Sequence, residues 1–231
     1  MPTIHGVDQR SPTVRVEHSA LAGGLVEVEQ CPAGSANFQP NTSSVIWSCG
    51  ARLARHLCEH PELVAGRRCV ELGSGIGLVG AAAAAVGAAS VLLTDVAEAV
   101  PLLERNAARV NAGLAEPRLR AQDLLWGEDE AIARAGAGAF DVVLGADVLY
   151  FQDAADVSKL VRTLERLLAP GGTVVLAYEW REDWETTGAF HDACKAAGLL
   201  DEMVDLHETD REDAVLFLLR RGAAAAECGP V

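Results

Sequence analysis

The run Val70-Glu71-Leu72-Gly73-Ser74-Gly75-Ile76-Gly77-Leu78-Val79-Gly80 constrains the fold more than any other part of this chain. An apolar strand ends there, turns over glycines and passes into a helix of small residues. Glycine alone lets a backbone bend this sharply and approach a ligand closely. The first turn of the helix then presents free N–H groups above the strand end. Glu71 puts a carboxylate at the end of that strand, and Asp95 closes the next, Val91-Leu92-Leu93-Thr94. Two acids flanking a glycine turn suit a nucleoside whose ribose hydroxyls need acceptors.

The turn by itself leaves more than one ligand open. Gly75, Gly77 and Gly80 satisfy the dinucleotide pattern G-x-G-x-x-G, and Asp95 lies about 20 residues on, as that pattern requires. A methyl-donor nucleoside needs the same parts. A tight turn with no ligand is the third reading, and it is a costly use of closely spaced glycines. The rest of the chain has to decide.

The 231 residues fit one domain, and a 50% hydrophobic content supplies a sizeable core. A net charge of −14 argues against a nucleic-acid groove over the whole surface. It is compatible with a basic protein partner. The six cysteines form no C-x-x-C pair. With no secretory leader, the expectation is an intracellular chain with reduced thiols, cytoplasmic or else nuclear. His56 and His60 share a helix face but lack the H-E-x-x-H context, so a helix end is expected there and no metal. Ile76 to Leu93 is apolar enough to resemble a membrane span, but its alanines and glycines fit a buried helix and strand better. No membrane association is expected, and without a heptad the chain is expected to be a monomer.

Residues 1–44 form an N-terminal extension, 45–222 the main domain and 223–231 a flexible tail. Residues 1–12 are expected to be disordered. Val14 to His18 and Leu25 to Glu29 alternate apolar and polar residues around Ala22-Gly23-Gly24, a hairpin pattern. Val45 to Glu59 reads as a helix. Strands are expected at 69–72, 91–94, 118–122, 140–146, 173–178, 200–205 and 214–220. Helices are expected at 77–86, 97–111, 157–168 and 189–197, with Pro170-Gly171-Gly172 as a stop. This alternation predicts an α/β fold, a largely parallel sheet with helices on both faces. Its ligand would sit beyond the carboxyl ends of the strands.

Those strand ends carry an unusual set: Leu125-Trp126-Gly127, Asp147-Val148-Leu149-Tyr150 and Tyr178-Glu179-Trp180-Arg181, with Trp47 ahead of the glycine turn. Together with that turn they resemble the seven-β-strand methyltransferases of methyltransferase family 16, from about Val45 to Arg220. The resemblance implies a Rossmann-like seven-stranded sheet with its last strand antiparallel, and S-adenosylmethionine as cofactor. It implies methyl transfer to a lysine of a protein substrate, with chaperones, ATPases or translation factors as the acceptor classes by analogy. It implies that Glu71, Gly73, Ser74 and Gly75 form the cofactor turn and that Asp95 accepts the ribose hydroxyls. Trp126 would cover the adenine, Asp123 accept from its amino group, Trp47 close the methionine end and Ala146 touch the cofactor through its backbone. Asp147 and Tyr150 match the D-x-x-Y substrate motif. Ser48 departs from the pattern, since many members carry an acid after the tryptophan.

The chemistry of these residues agrees with that reading. Aromatic faces and acids stabilise a sulfonium. Methyl transfer needs an aligned nucleophile rather than a covalent intermediate. A lysine must be neutral to attack, and burial against aromatics lowers its pKa. Asp147 can orient the amine, Tyr150 can wall its channel, and Glu179 is a second acid expected at the channel mouth. Trp180 and Trp184, on an expected loop, read as a peptide rim or as packing. Other acceptors, protein histidine or arginine or a small molecule, share the fold. A nicotinamide oxidoreductase would need a second lobe, for which little chain remains. A binding module without activity sits poorly with Glu71, Asp95, Asp147 and Tyr150 together.

Overall fold

A computed structural model describes residues 7–33, 42–150, 153–181, 183–206 and 214–221. The chain opens with an antiparallel hairpin, β1 (Thr13–Glu17) and β2 (Leu25–Glu29), with Val14 opposite Val28 and Val16 opposite Val26. Helix α1 (Ser48–Glu59) follows. Then come β3 (Arg68–Leu72), α2 (Leu78–Ala85), β4 (Ser90–Asp95), α3 (Val100–Asn111), β5 (Leu119–Asp123), α4 (Asp129–Ala135) and β6 (Phe140–Ala146). The last elements are α5 (Ala154–Leu167), β7 (Leu168–Glu179), α6 (Trp184–Ala196), β8 (Leu199–Asp205) and β9 (Ala214–Arg221).

The main sheet has seven strands in the order β5-β4-β3-β6-β7-β9-β8. Strands β3 to β7 pair in parallel, and β9 inserts antiparallel between β7 and β8. The chain moves outward from β3 to β5 and then returns to β6 on the other side of β3. A crevice opens at such a reversal, beyond the carboxyl ends of the strands.

Alternation along the central strands sends side chains to both faces, so both are covered. Val142 and Leu144 of β6 join Leu53, Leu57, Val79 and Leu103 in one core layer. Val143 joins Ile132, Leu160, Leu164 and Phe190 in the other. All of α2 is buried, from Leu78 and Val79 through its run of alanines. The hairpin is held by buried Asn106 of α3. Its side chain accepts from the Glu29 N–H at 2.8 Å and donates to the carbonyls of Glu29 at 2.9 Å and Ile76 at 2.8 Å.

Several boundaries differ from the sequence expectation for physical reasons. Helix α1 begins at Ser48, not Val45, because Trp47 is extended (φ −110°, ψ 158°) and serves as N-cap. The short α4 was not expected; its acids Asp129 and Glu130 lie in the first turn and Arg134 in the last, which suits the helix dipole. Pro170-Gly171-Gly172 stops α5 but lies inside β7, where the pairing with β6 slips between Phe140 and Val142. Helix α6 starts at Trp184 rather than Ala189 because Asp183 caps it, accepting from the Thr186 N–H at 3.2 Å. Residues 7–12 are ordered, contrary to expectation. Gln30 donates to the carbonyls of Asp8 and Ser11, each at 2.8 Å, and Gln9 to that of Ile46 at 2.6 Å. Residues 1–6, the acidic cluster Glu208, Asp210, Glu212 and Asp213, and the tail from residue 222 lie outside the described residues.

Candidate active site

A cavity of about 1290 Å³ opens at the carboxyl ends of the parallel strands. Its floor is the glycine turn. Gly73 has φ +59°, and a Cβ there would meet Val148 Cγ1 at 2.9 Å, so both the backbone angle and the space demand glycine. A buried polar network fixes the turn to β4. Ser74 N–H donates to the Thr94 carbonyl at 2.9 Å, and the Ser74 hydroxyl accepts from the Thr94 N–H at 2.9 Å and donates to the Glu71 carbonyl at 3.1 Å. The Thr94 hydroxyl donates to the same carbonyl at 2.7 Å.

Glu71 lies beneath this turn, 2% exposed, and accepts from the Gly80 N–H of α2 at 2.9 Å. Burial pushes its pKa up to about 8, with the Asp95 charge adding to the rise and the bonds from Gly80 and Ser74 opposing it. Asp95, also buried, accepts from the Gly75 N–H at 2.8 Å, the Val96 N–H at 2.8 Å and the Ser43 hydroxyl at 2.9 Å. These bonds hold its carboxylate against the rim of the turn. Residues 42–47 arch over this side, and the Trp47 indole N–H donates to the Thr42 carbonyl at 2.9 Å. Trp126 closes the opposite side and packs on the second core layer.

Asp147 follows β6 with φ +54°, the one described residue other than glycine with a positive φ. That region is costly for a residue with a Cβ and is found where a site over-determines the backbone. The reason here is visible. The carboxylate turns back beneath α1 and accepts from the Cys49 N–H at 3.2 Å, supplying the cap acceptor that Trp47 lacks. It also accepts from Arg181 Nη2 at 2.9 Å. Arg181 donates further to the Leu149 carbonyl at 3.1 Å and stands 3.7 Å from Glu179. Burial, with the charges of Asp147 and Glu179, raises the Cys49 thiol well above its ordinary pKa.

Most of the residues named from sequence converge. Trp47, Glu71, Gly73, Ser74, Gly75, Asp95, Trp126, Ala146, Asp147 and Tyr150 all line the cavity, with Tyr150 exposed on its wall. Three do not. Asp123 is turned away and pairs with Arg134 at 2.7 Å. Glu179 is not at a mouth but buried, accepting from the Ser48 hydroxyl at 3.0 Å. Trp180 packs edge-on against Tyr178, 5.6 Å between ring centroids, with Trp184 at 6.1 Å on its other side and 74% exposed. Arg181, which the sequence placed at a strand end without a role, also forms part of the wall. Its place at the end of the fifth parallel strand was the available signal.

A seven-stranded sheet in this order, with a glycine turn and an acid at the next strand end, defines a nucleoside-dependent methyltransferase fold. Solved structures with this fold include a TehB-like SAM-dependent methyltransferase from Corynebacterium glutamicum, with a TM-score of 0.56, 18% identity and 74% of this chain against 88% of that one. Another is the magnesium protoporphyrin IX methyltransferase of Synechocystis with bound SAH, with a TM-score of 0.55, 16% identity and coverages of 80% and 89%. Residues 36–193 match the family model described as lysine methyltransferase, and the chain belongs to that family. Protein N-lysine methyltransferase METTL21A of Mus musculus is 34% identical, over 60% of this chain and 62% of that protein. Protein N-terminal and lysine N-methyltransferase EFM7 of Yarrowia lipolytica is 31% identical, over 60% of this chain and 57% of that protein. The chain therefore spans less than two thirds of the length of these relatives.

Proposed function

We propose that this protein transfers a methyl group from S-adenosylmethionine to the side-chain amine of a lysine in a protein substrate. The observation that carries the reading is one cavity lined together by the glycine turn, Asp95, Asp147 and Tyr150. The donor's ribose would bond to Asp95, its adenine would lie under Trp126, and its methionine end would face Trp47. The lysine would enter past Tyr150 and be oriented by Asp147. When bound, the donor would supply an electrophilic methyl group; Asp147 would orient the amine after its proton had left to solvent, and S-adenosylhomocysteine would be the leaving product. The chain supplies alignment, desolvation and charge.

Family membership and relatives named as lysine methyltransferases support the acceptor class. The name "EEF1A lysine methyltransferase 3" borne by a Mus musculus relative, 32% identical, makes elongation factor 1A a first acceptor to try. The word "N-terminal" in the name of the yeast relative makes a protein α-amine the second reading. Cys31, Cys49, Cys58 and Cys69 carry thiols rather than disulfides, which supports a reducing compartment, cytoplasm or nucleus. Among the described residues no helix is long and apolar enough to cross a membrane.

Calorimetric titration with S-adenosylmethionine, S-adenosylhomocysteine and NADH tests the donor. The first two bind and NADH does not. Asp95→Ala weakens both by roughly 10- to 100-fold, the loss of charge-assisted hydrogen bonds. Tritiated donor then labels acceptors in a lysate, and hydrolysis of the product returns methyl-lysine. Asp147→Ala abolishes labelling and leaves S-adenosylhomocysteine binding nearly unchanged. NADH binding alone, or full labelling by Asp147→Ala, refutes the assignment.

A further inference from the structure

We propose that Arg181 sets the proton affinity of the acceptor amine, by offsetting one of two carboxylates at the inner end of the site. The inference rests on the amine-methylating reading above and assigns a residue to it.

An amine approaching Asp147 meets more than one acid. Asp147 follows β6 and Glu179 ends the neighbouring β7, and both side chains are almost fully buried. Asp147 lines the cavity and Glu179 lies buried behind Arg181, and two carboxylates so close to one amine would hold it as an ammonium, which has no lone pair to donate. Arg181 stands between them, 2.9 Å from Asp147 Oδ1 and 3.7 Å from Glu179 Oε2. It also forms part of the cavity wall. Two carboxylates and one guanidinium leave a single net negative charge, enough to draw in an ammonium without locking its proton in place. The guanidinium suits the task because its planar fork reaches Asp147 and the Leu149 carbonyl together while it stays charged throughout the working pH range. Burial works against that charge, but the Asp147 bond and both carboxylates outweigh burial and raise its pKa.

The other charged and titratable groups nearby do not replace it. Cys49 of α1 contributes a thiol held above its ordinary pKa, with Arg52 acting on it in the opposite sense to Asp147. Tyr178 of β7 presents its ring 5.9 Å from the guanidinium carbon, and Asp183 acts on that tyrosine from the start of α6. On α5, Asp156 and Lys159 pair with each other at 2.7 Å, and Asp153 caps the helix. Arg181 is therefore a positioning residue. It acts on the amine through Asp147 and through its own charge.

The test needs no acceptor protein. Sinefungin carries an amine where the donor carries its methyl-bearing sulfonium, so it presents a cation toward this end of the cavity, whereas S-adenosylhomocysteine does not. Both are titrated calorimetrically into the full chain and into Arg181→Met and Arg181→Lys between pH 6 and 10. Arg181→Met should favour sinefungin over S-adenosylhomocysteine by roughly tenfold more than the native protein near neutral pH. The gain should fade as the amine loses its proton. Arg181→Lys, which keeps the charge, should keep the native ratio. Arg181→Gln gives the same readout if the methionine variant does not fold. An unchanged ratio in the neutral variants, or an equal fall in both affinities, means a merely structural role and overturns the proposal alone. A native protein that binds neither nucleoside overturns the methyl-donor reading and this assignment with it.

Discussion

Replacing Glu71 by glutamine should remove a pH dependence of folding that one buried carboxyl creates. Its ordinary pKa of 4.5 is raised to about 8 in the folded chain, first by burial and then by Asp95. The folded state therefore holds this proton over a pH range in which the unfolded chain has released it. Stability from this group is complete below pH 4.5, declines as pH rises, and is lost once pH passes about 8. At about 1.4 kcal/mol per pKa unit, the displacement corresponds to roughly 4–5 kcal/mol. That is a large share of the roughly 5–15 kcal/mol by which domains are stable. Glutamine mimics the protonated form, and its carbonyl oxygen can still accept from the Gly80 N–H. Urea denaturation of both ligand-free proteins at intervals from pH 4.5 to 9 measures the effect. Other groups titrate in both proteins, so the difference between the two curves isolates Glu71. That difference should grow in favour of Glu71→Gln by several kcal/mol between pH 5 and 9. Parallel curves would refute the reasoning, and so would a variant less stable at pH 9 than at pH 5 relative to the native protein.

Two further substitutions test the scaffold around the site. Gly80→Ala drives a Cβ into Leu93 Cδ2 and to 2.8 Å from Glu71 Oε2, and should cost roughly 1–3 kcal/mol despite alanine's helix preference, read as a lowered urea midpoint. Asp153→Ala removes the cap that accepts from the N–H groups of Ala155 and Asp156, each at 2.9 Å, and should cost about 1 kcal/mol. Asp153→Asn should recover most of that loss in the same assay.

Where one periodicity ran without interruption, the sequence was enough to place the element. Phe140 to Ala146 is apolar except for Asp141, because both faces of β6 are covered, and its expected bounds match the observed ones. The antiparallel β9 followed from family resemblance, and the structure pairs it with β7 and β8 as expected. The errors fall where a local rule met a tertiary one. A Pro-Gly-Gly stop signal says that a helix ends, but not that the chain can resume pairing at once through a register slip. Asp183 caps α6 and draws Trp184 into a helix that its neighbours in sequence do not announce. Gln30 orders residues 8 to 11 through an amide far along the chain, and no composition rule registers such a contact.

The acids of the site show the same limit more sharply. Asp147 and Glu179 look alike in sequence, each an acid at a strand end, yet only Asp147 lines the cavity. The difference comes from their partners. The Ser48 hydroxyl donates to Glu179 at 3.0 Å. An acid at position 48 would instead repel Glu179 inside a buried layer, where like charges are costly. The serine and the glutamate therefore belong together, and Arg181 joins them to Asp147. The serine at position 48 is thus the local condition under which Glu179 can be buried so close to Arg181 and Asp147. This dependence spans more than a hundred positions of sequence and becomes visible only once β6, β7 and the start of α1 are brought together.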